Sequence, residues 1–387
     1  MFTPLKDLPE NKNWTLDDLN DREVQLLIPV ILFIAICMVV GTVGNALVLY
    51  INIVALKLRN STHRYFITFL ALVDITFCTI GDPFMIGVLT HPYTFTNTMA
   101  CKSLRAFTYF NAMVSVLVLF MIALDRYRKI CRPYGNQFSI QSMKYIFGII
   151  AVLCFIFSIP CFILYGKNTV QTGIANITGI QCFPDDMYRE TLFPNGYIMF
   201  LYSVFIILTA SMSVFYILVW RQIRKHTHQM KANVTSDATE ISVYTCSTDT
   251  NSVEMVSART VSETQQNTRK DPKRPDYPGK YTNEGNNLNK MHTDRAKTIR
   301  VSKTLFVVTA FFVLSFTPFL SLELLTFFDE KFIENLDNTS TVFYQFFWRT
   351  FAINFMVNPF IYGVMDKKFR MECKKLVLNK FNFRNFL

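Results

Sequence analysis

The sequence predicts an all-α membrane protein, a bundle of seven spanning helices. Three observations carry that expectation. Of the 387 residues, 51% are hydrophobic, 38 are Phe and 17% are charged, whereas a soluble domain carries about a quarter charged residues. Seven stretches reach the roughly 20 apolar residues that a helix needs to cross a bilayer core. The basic clusters behind the formal charge of +11 fall between alternate stretches, on one side only.

In order, the spans are read at 26–56, 65–90, 102–127, 144–165, 192–222, 299–328 and 341–364. Lys57, Arg59 and Arg64 follow the first, and Arg126, Arg128, Lys129 and Arg132 close the third. Arg221, Arg224 and Lys225 close the fifth, Arg295 and Lys297 precede the sixth, and Lys367, Lys368 and Arg370 follow the seventh. That side is expected to be cytoplasmic. The other side is acidic, with Asp17, Asp18, Asp21 and Glu23 before the first span and Asp329, Glu330, Glu334 and Asp337 before the seventh. An external N-terminus (1–25) and a cytoplasmic C-terminus (365–387) follow. The charge is thus a membrane signature, and a nucleic-acid partner is set aside.

The N-terminus is polar and has no apolar stretch before a small-residue cleavage site, so no cleaved signal is expected. The sequons at Asn13, Asn176 and Asn338 fall on the external side and are glycosylation candidates. Spans one to five (26–222) and six to seven (299–364) flank residues 223–298, which are rich in Ser, Thr, Asn and Lys. That composition reads as a disordered cytoplasmic loop and kinase target. The nine cysteines form no C-x-x-C or Cys/His cluster, which argues against a zinc site. The five histidines lie in loops or at span ends, away from any buried acid, so an enzyme is not expected. A seven-span transporter is a remote alternative that lacks its usual internal repeat.

Ionisable and amide side chains inside a bilayer are costly. Asp74 lies in mid-span two, with Asn45 in span one, Ser115 in span three, and Asn354 and Asn358 in span seven. Two readings stand: one polar cluster around Asp74 with room for sodium and water, or hydrogen-bonding glue between helices. Pro318 and Pro359 each remove a backbone donor and should bend spans six and seven.

Seven spans, an external N-terminus and a series of short motifs together resemble the rhodopsin-like (class A) G protein-coupled receptors. The motifs are "GN" at 44–45, "LALVD" at 70–74, Cys101, "DRY" at 125–127, "FVLSFTP" at 312–318, "NPFIY" at 358–362 and "DKKFR" at 366–370. The resemblance covers about residues 26–375. It implies a plasma-membrane receptor that binds an extracellular ligand and activates a heterotrimeric G protein, with kinases and arrestin acting at the third cytoplasmic loop. It implies a Cys101–Cys182 disulfide over the pocket. Its activation switch would comprise Asp125, Arg126, Tyr127, Tyr216, Phe312, Phe316, Pro318, Asn358, Pro359 and Tyr362. Asp74, Ser115, Asn354 and Asn358 would form an allosteric sodium and water site, with no other cofactor. Residues 366–376 would form a short amphipathic eighth helix along the membrane, with Phe369 on its apolar side and Cys373 a palmitoylation candidate. The pattern also departs from the family: span four lacks Trp, Leu208 stands where a Pro is usual, Phe316 where a Trp is usual, and Thr298 where an acid often restrains the DRY arginine.

Two ligand classes of that family are set aside. Its amine receptors use an acid where Thr108 stands, and its opsins need a span-seven lysine where Ala352 stands. Glu323 and Asp82, near the outer ends of spans six and two, would complement a basic group on a ligand. Arg105 and Arg349 either pair with those acids or hold a carboxylate. Tyr109, Tyr344 and Trp348 would supply aromatic walls. A peptide ligand, in particular a neuropeptide, is favoured; a lipid or small metabolite is the alternative.

Overall fold

The computed structural model describes residues 13–56, 62–174, 176–189, 191–244, 281–329, 332–333 and 335–384. Lys57, Arg59, Glu330 and Glu334 therefore lie outside the described residues, as does 245–280. Helix α1 (Leu16–Tyr50) starts well before the apolar run. Thr15 and Asp18 cap it reciprocally: the Asp18 N–H donates to the Thr15 hydroxyl (3.2 Å) and the Thr15 N–H to the Asp18 carboxylate (3.0 Å). The external N-terminal segment is thus partly helical. Asn20 on its first turns accepts from the Tyr93 N–H (3.3 Å) and the Thr94 hydroxyl (3.1 Å), tying α1 to the loop after span two.

Span two is α2 (Thr62–Thr76), a π turn (Phe77–Gly81) and α3 (Asp82–Thr90). Helices α4 (Thr98–Cys131) and α5 (Ile140–Leu164) are spans three and four, capped by the side chains of Asn97 and Ser139. Strands β1 (Tyr165–Gln171) and β2 (Thr178–Pro184) form an antiparallel hairpin. It docks on the loop after α3, where Ile180 N–H donates to Tyr93 O (2.7 Å). Gly179 allows this approach, since a Cβ there would lie 2.7 Å from Tyr93 Cβ.

Helices α6 (Phe193–Tyr244) and α7 (Tyr281–Phe328) carry spans five and six. Span seven is split into α8 (Asn338–Phe347) and α9 (Ala352–Met365) by a turn at 348–351. The eighth helix, α10 (Lys367–Arg384), is longer than expected. Asp366 separates it from α9 and accepts from the Lys368 N–H (2.9 Å). Among the described residues, six helices are long and apolar enough to cross a membrane, and the split α8–α9 supplies the seventh span.

The chain forms two compact units, residues 1–219 with 300–387, and residues 220–299. In the second unit, helix runs to Tyr244 and resumes at Tyr281, and 245–280, the middle of the segment read as a disordered loop over 223–298, lies outside the described residues. Helix elongation adds one hydrogen bond per residue and continues readily from a formed turn.

Within the first unit α1 packs on α9, α2 and α3, and α4 packs on α5, α2 and the hairpin. Gly44 lets α1 meet α9 closely, because a Cβ there would lie 2.8 Å from Pro359 Cγ. The outer faces are apolar: Leu32 and Val43 on α1, Phe155 on α5, Ile206 on α6 and Leu314 on α7 are all exposed. Asn45, Asp74, Asp82 and Ser115 are fully buried. This is the arrangement of a protein whose solvent is lipid.

Candidate functional site

Two of the five intramembrane polar residues are joined directly. Asn358 Nδ2 on α9 donates to Asp74 Oδ2 on α2 at 2.7 Å. Asp74 Oδ1, Asn358 Oδ1, Ser115 Oγ and the Asn354 Nδ2 donor are buried without a hydrogen-bond partner among the described residues. Buried polar atoms rarely stay unpaired, and the free oxygens of Asp74 and Asn358 are of the kind that a small hard cation or water takes. Asn45 stands apart. Its Nδ2 donates to Phe355 O (2.7 Å) and Gly41 O (3.0 Å), so it bridges α1 to α9. Here the glue reading applies.

At the inner end of α4, Arg126 donates to the Asp125 carboxylate, and both are buried. Lys129 Nζ reaches the same carboxylate at 3.0 Å and donates to the Thr62 hydroxyl. Tyr127 packs on Phe215, with centroids 5.3 Å apart. Tyr216 donates to Leu305 O (3.2 Å) and pairs with the Thr309 hydroxyl (3.0 Å). The Tyr362 hydroxyl is buried with no partner among the described residues.

A ladder of rings lies between the two ends of the bundle. Phe205 on α6 faces Phe312 and Phe316 on α7 at 5.8 Å, and Phe316 faces Phe351 at 5.7 Å. Pro318 interrupts the hydrogen bonding of α7, and the Thr350 hydroxyl donates to the nearby Ser315 carbonyl at 3.0 Å.

Outside that ladder the bundle opens. An apolar cleft of about 710 Å³, part of it open to the exterior, lies between α4, α6 and α7, with Tyr109, Tyr202, Phe316, Phe319 and Glu323 in its wall. Glu323 accepts from Trp348 Nε1 at 2.6 Å, and Tyr109 pairs with the Tyr165 hydroxyl at 2.9 Å. A smaller recess of about 300 Å³ is walled by Arg105, Gln181, Gln345, Trp348 and Arg349. Cys101 and Cys182 are bonded, with Cα atoms 5.5 Å apart, which anchors β2 to the outer end of α4 beside these cavities.

The model of the 7 transmembrane receptor (rhodopsin family) matches residues 44–362 of this chain. The chain belongs to the rhodopsin family of seven-transmembrane receptors. The receptor is 30% identical over 210 residues to the neuropeptide S receptor of Mus musculus, covering 51% of this chain and 52% of that one. It is 26% identical over 187 residues to the substance-K receptor of Mus musculus, covering 47% of each. It is 27% identical over 199 residues to the rhodopsin of Loligo forbesii, covering 48% of this chain and 43% of that one. The chain thus spans about half the length of the relatives it matches. The family is one of signalling receptors, not enzymes.

Of the residues expected in the ligand pocket, Tyr109 and Glu323 line the larger cleft, and Arg105 and Trp348 the smaller. Asp82, Thr108 and Tyr344 line neither of these two cavities. The π turn at Phe77–Gly81 inserts an extra residue and rotates α3 by about 100° from a regular helix. Asp82 consequently faces the Cys78 thiol, and neither carboxylate oxygen accepts a hydrogen bond from an N–H or O–H among the described residues. Thr108 turns its hydroxyl back onto Leu104 O at 2.9 Å, and Tyr344 packs beside Phe332.

Sequence reasoning missed Lys129 and Thr350 in the receptor. Lys129 stood four residues after Asp125, a helical spacing that signals contact; Thr350 gave no signal. Among the sequons, Asn13 and Asn176 are exposed, whereas Asn338 is half-buried as the first residue of α8. On α10, Phe369 is buried and meets Tyr362 at 6.4 Å. Burial pushes the half-buried Cys373 thiol up, away from the reactive thiolate.

Proposed function

We propose that this receptor sits in the plasma membrane, N-terminus outside, binds an extracellular peptide at the outer cleft and activates heterotrimeric G proteins. The observation that carries the reading is the placement of two sites at opposite ends of one helix. Helix α4 lines the wide cleft beside the disulfide-anchored hairpin and ends inwardly in the Asp125–Arg126 pair. A ligand that shifts α7 against α4 would move the Phe312–Phe316 stack and the Tyr216 contacts, which rest on α7. The relatives with neuropeptide S and substance K in their names support a peptide, and the Glu323 carboxylate offers a basic group a partner.

The oxygens of Asp74, Ser115 and Asn358 are proposed to hold an allosteric sodium ion. A bound cation would supply the positive charge that the buried carboxylate lacks. Kinases and arrestin are proposed to act on the Ser/Thr-rich segment 245–280, and Cys373 to accept a palmitoyl chain that adds to lipid contacts.

Expression with a promiscuous G protein, challenged with a peptide library and read by calcium release, tests the function. Responses confined to a few peptides are expected. Responses only to lipids or organic acids would sink the peptide reading, and silence to every class would sink receptor coupling itself.

A further inference from the structure

The smaller outer recess is built around two positive charges. Arg105 on α4 and Arg349 in the turn between α8 and α9 both line it, at 8% and 4% exposed. A buried guanidinium is costly unless paired with an anion. Neither is so paired: among the described residues the ion pairs are Arg126–Asp125, Lys129–Asp125 and Lys375–Glu372. Arg105 has one long contact, to Cys182 O at 3.4 Å, and Arg349 bonds the backbone and side-chain oxygens of Gln345. The Nε of each has no acceptor among the described residues.

The acids of the neighbouring spans are engaged elsewhere. Asp82 faces the Cys78 thiol, and Glu323 accepts the Trp348 indole N–H. Aromatic faces hold the guanidinium groups instead, Arg105 over Phe84 (5.3 Å) and Tyr165 (5.1 Å), Arg349 over Trp348 (5.1 Å). Such faces orient a guanidinium without neutralising it, which leaves donor forks suited to a planar anion.

We infer that this recess is a carboxylate subsite, in which Arg105 and Arg349 together take the carboxylate of the ligand. The inference rests on the peptide-receptor reading, and for a peptide the group is its C-terminal carboxylate or an acidic side chain. The recess is far smaller than the neighbouring cleft, so it suits one terminal carboxylate rather than a whole ligand. Trp348 is the wall between this subsite and Glu323. A ligand with a cationic and an anionic group would therefore straddle that indole.

The test uses the purified full-length receptor in detergent, with thermal unfolding as the readout and no G protein present. The probes are N-acetyl-phenylalanyl-phenylalanine against its C-terminal amide, and hexanoate against hexanamide. The peptide acid is expected to raise the melting temperature at concentrations at least about tenfold below those its amide requires. Arg105→Gln and Arg349→Gln are expected to abolish that difference, and Arg349→Lys to keep part of it. An amide as effective as its acid, or no shift from either acid at millimolar concentration, overturns the subsite. The comparison on the unaltered receptor needs no variant, so a misfolded substitution leaves it decisive. A shift from hexanoate but not from the peptide acid would keep the subsite and overturn the peptide reading.

Discussion

Asn45 and Asp74 are both fully buried, and the sequence gives no means of separating their roles. What separates them is the acceptor each finds. Gly44 brings α1 against α9 so closely that Asn45 reaches the Phe355 carbonyl, while Asp74 is met by the Asn358 amide. Asn45→Ala is expected to cost about 1–3 kcal/mol, the range for stranding a buried hydrogen-bond partner, read as a lower melting temperature with ligand specificity unchanged. Glu323→Gln should weaken a basic peptide identified by the library screen by about 1–3 kcal/mol; unchanged potency removes this carboxylate from the pocket. The identity of the polar residues was legible from their positions in apolar runs. Their partners were not, because a partner is fixed by the distance between helices, which hydropathy does not encode.

At the level of elements, hydropathy located every span but not its ends or interruptions. The start of α1 at Leu16 is set by the Thr15–Asp18 capping box in a polar segment. The break at 348–351 carries only Arg349 and Thr350 between Trp348 and Phe351, a polar pair too short to interrupt a span's hydropathy. The π turn at Phe77–Gly81 gave no such signal, and Asp82 follows directly on it. The end of α4 gives this scale its prediction. Asp125 is shared by Arg126 and Lys129, so Lys129 competes for the carboxylate that restrains the arginine. Lys129→Met should leave Asp125 wholly to Arg126 and lower ligand-free signalling. Asp125→Asn should raise it. Basal G protein turnover in membranes checks both, and a change of the same sign in the two variants would refute the competition.

For the whole molecule, the groups that resist explanation as core packing fall at three levels: Glu323, Arg105 and Arg349 at the outer cavities, the buried Asp74, and Arg126 at the inner end of α4. Sodium is expected to stabilise the receptor at Asp74. Replacing N-methylglucamine chloride by sodium chloride at about ten times the dissociation constant should add about 1.4 kcal/mol, read as a higher melting temperature. Asp74→Asn should remove the sodium effect without removing the fold. At the outer cavities, the bond from Trp348 to Glu323 joins α7 to the turn after α8. In effect the chain carries its own occupant, an indole N–H seated on the acid that an arriving cation would want. Any measured affinity is then a difference between two donors competing for one acceptor. Under the proposed basic ligand, each one that wins would also cut the cord between the sixth and seventh spans, and recognition and release would become a single event.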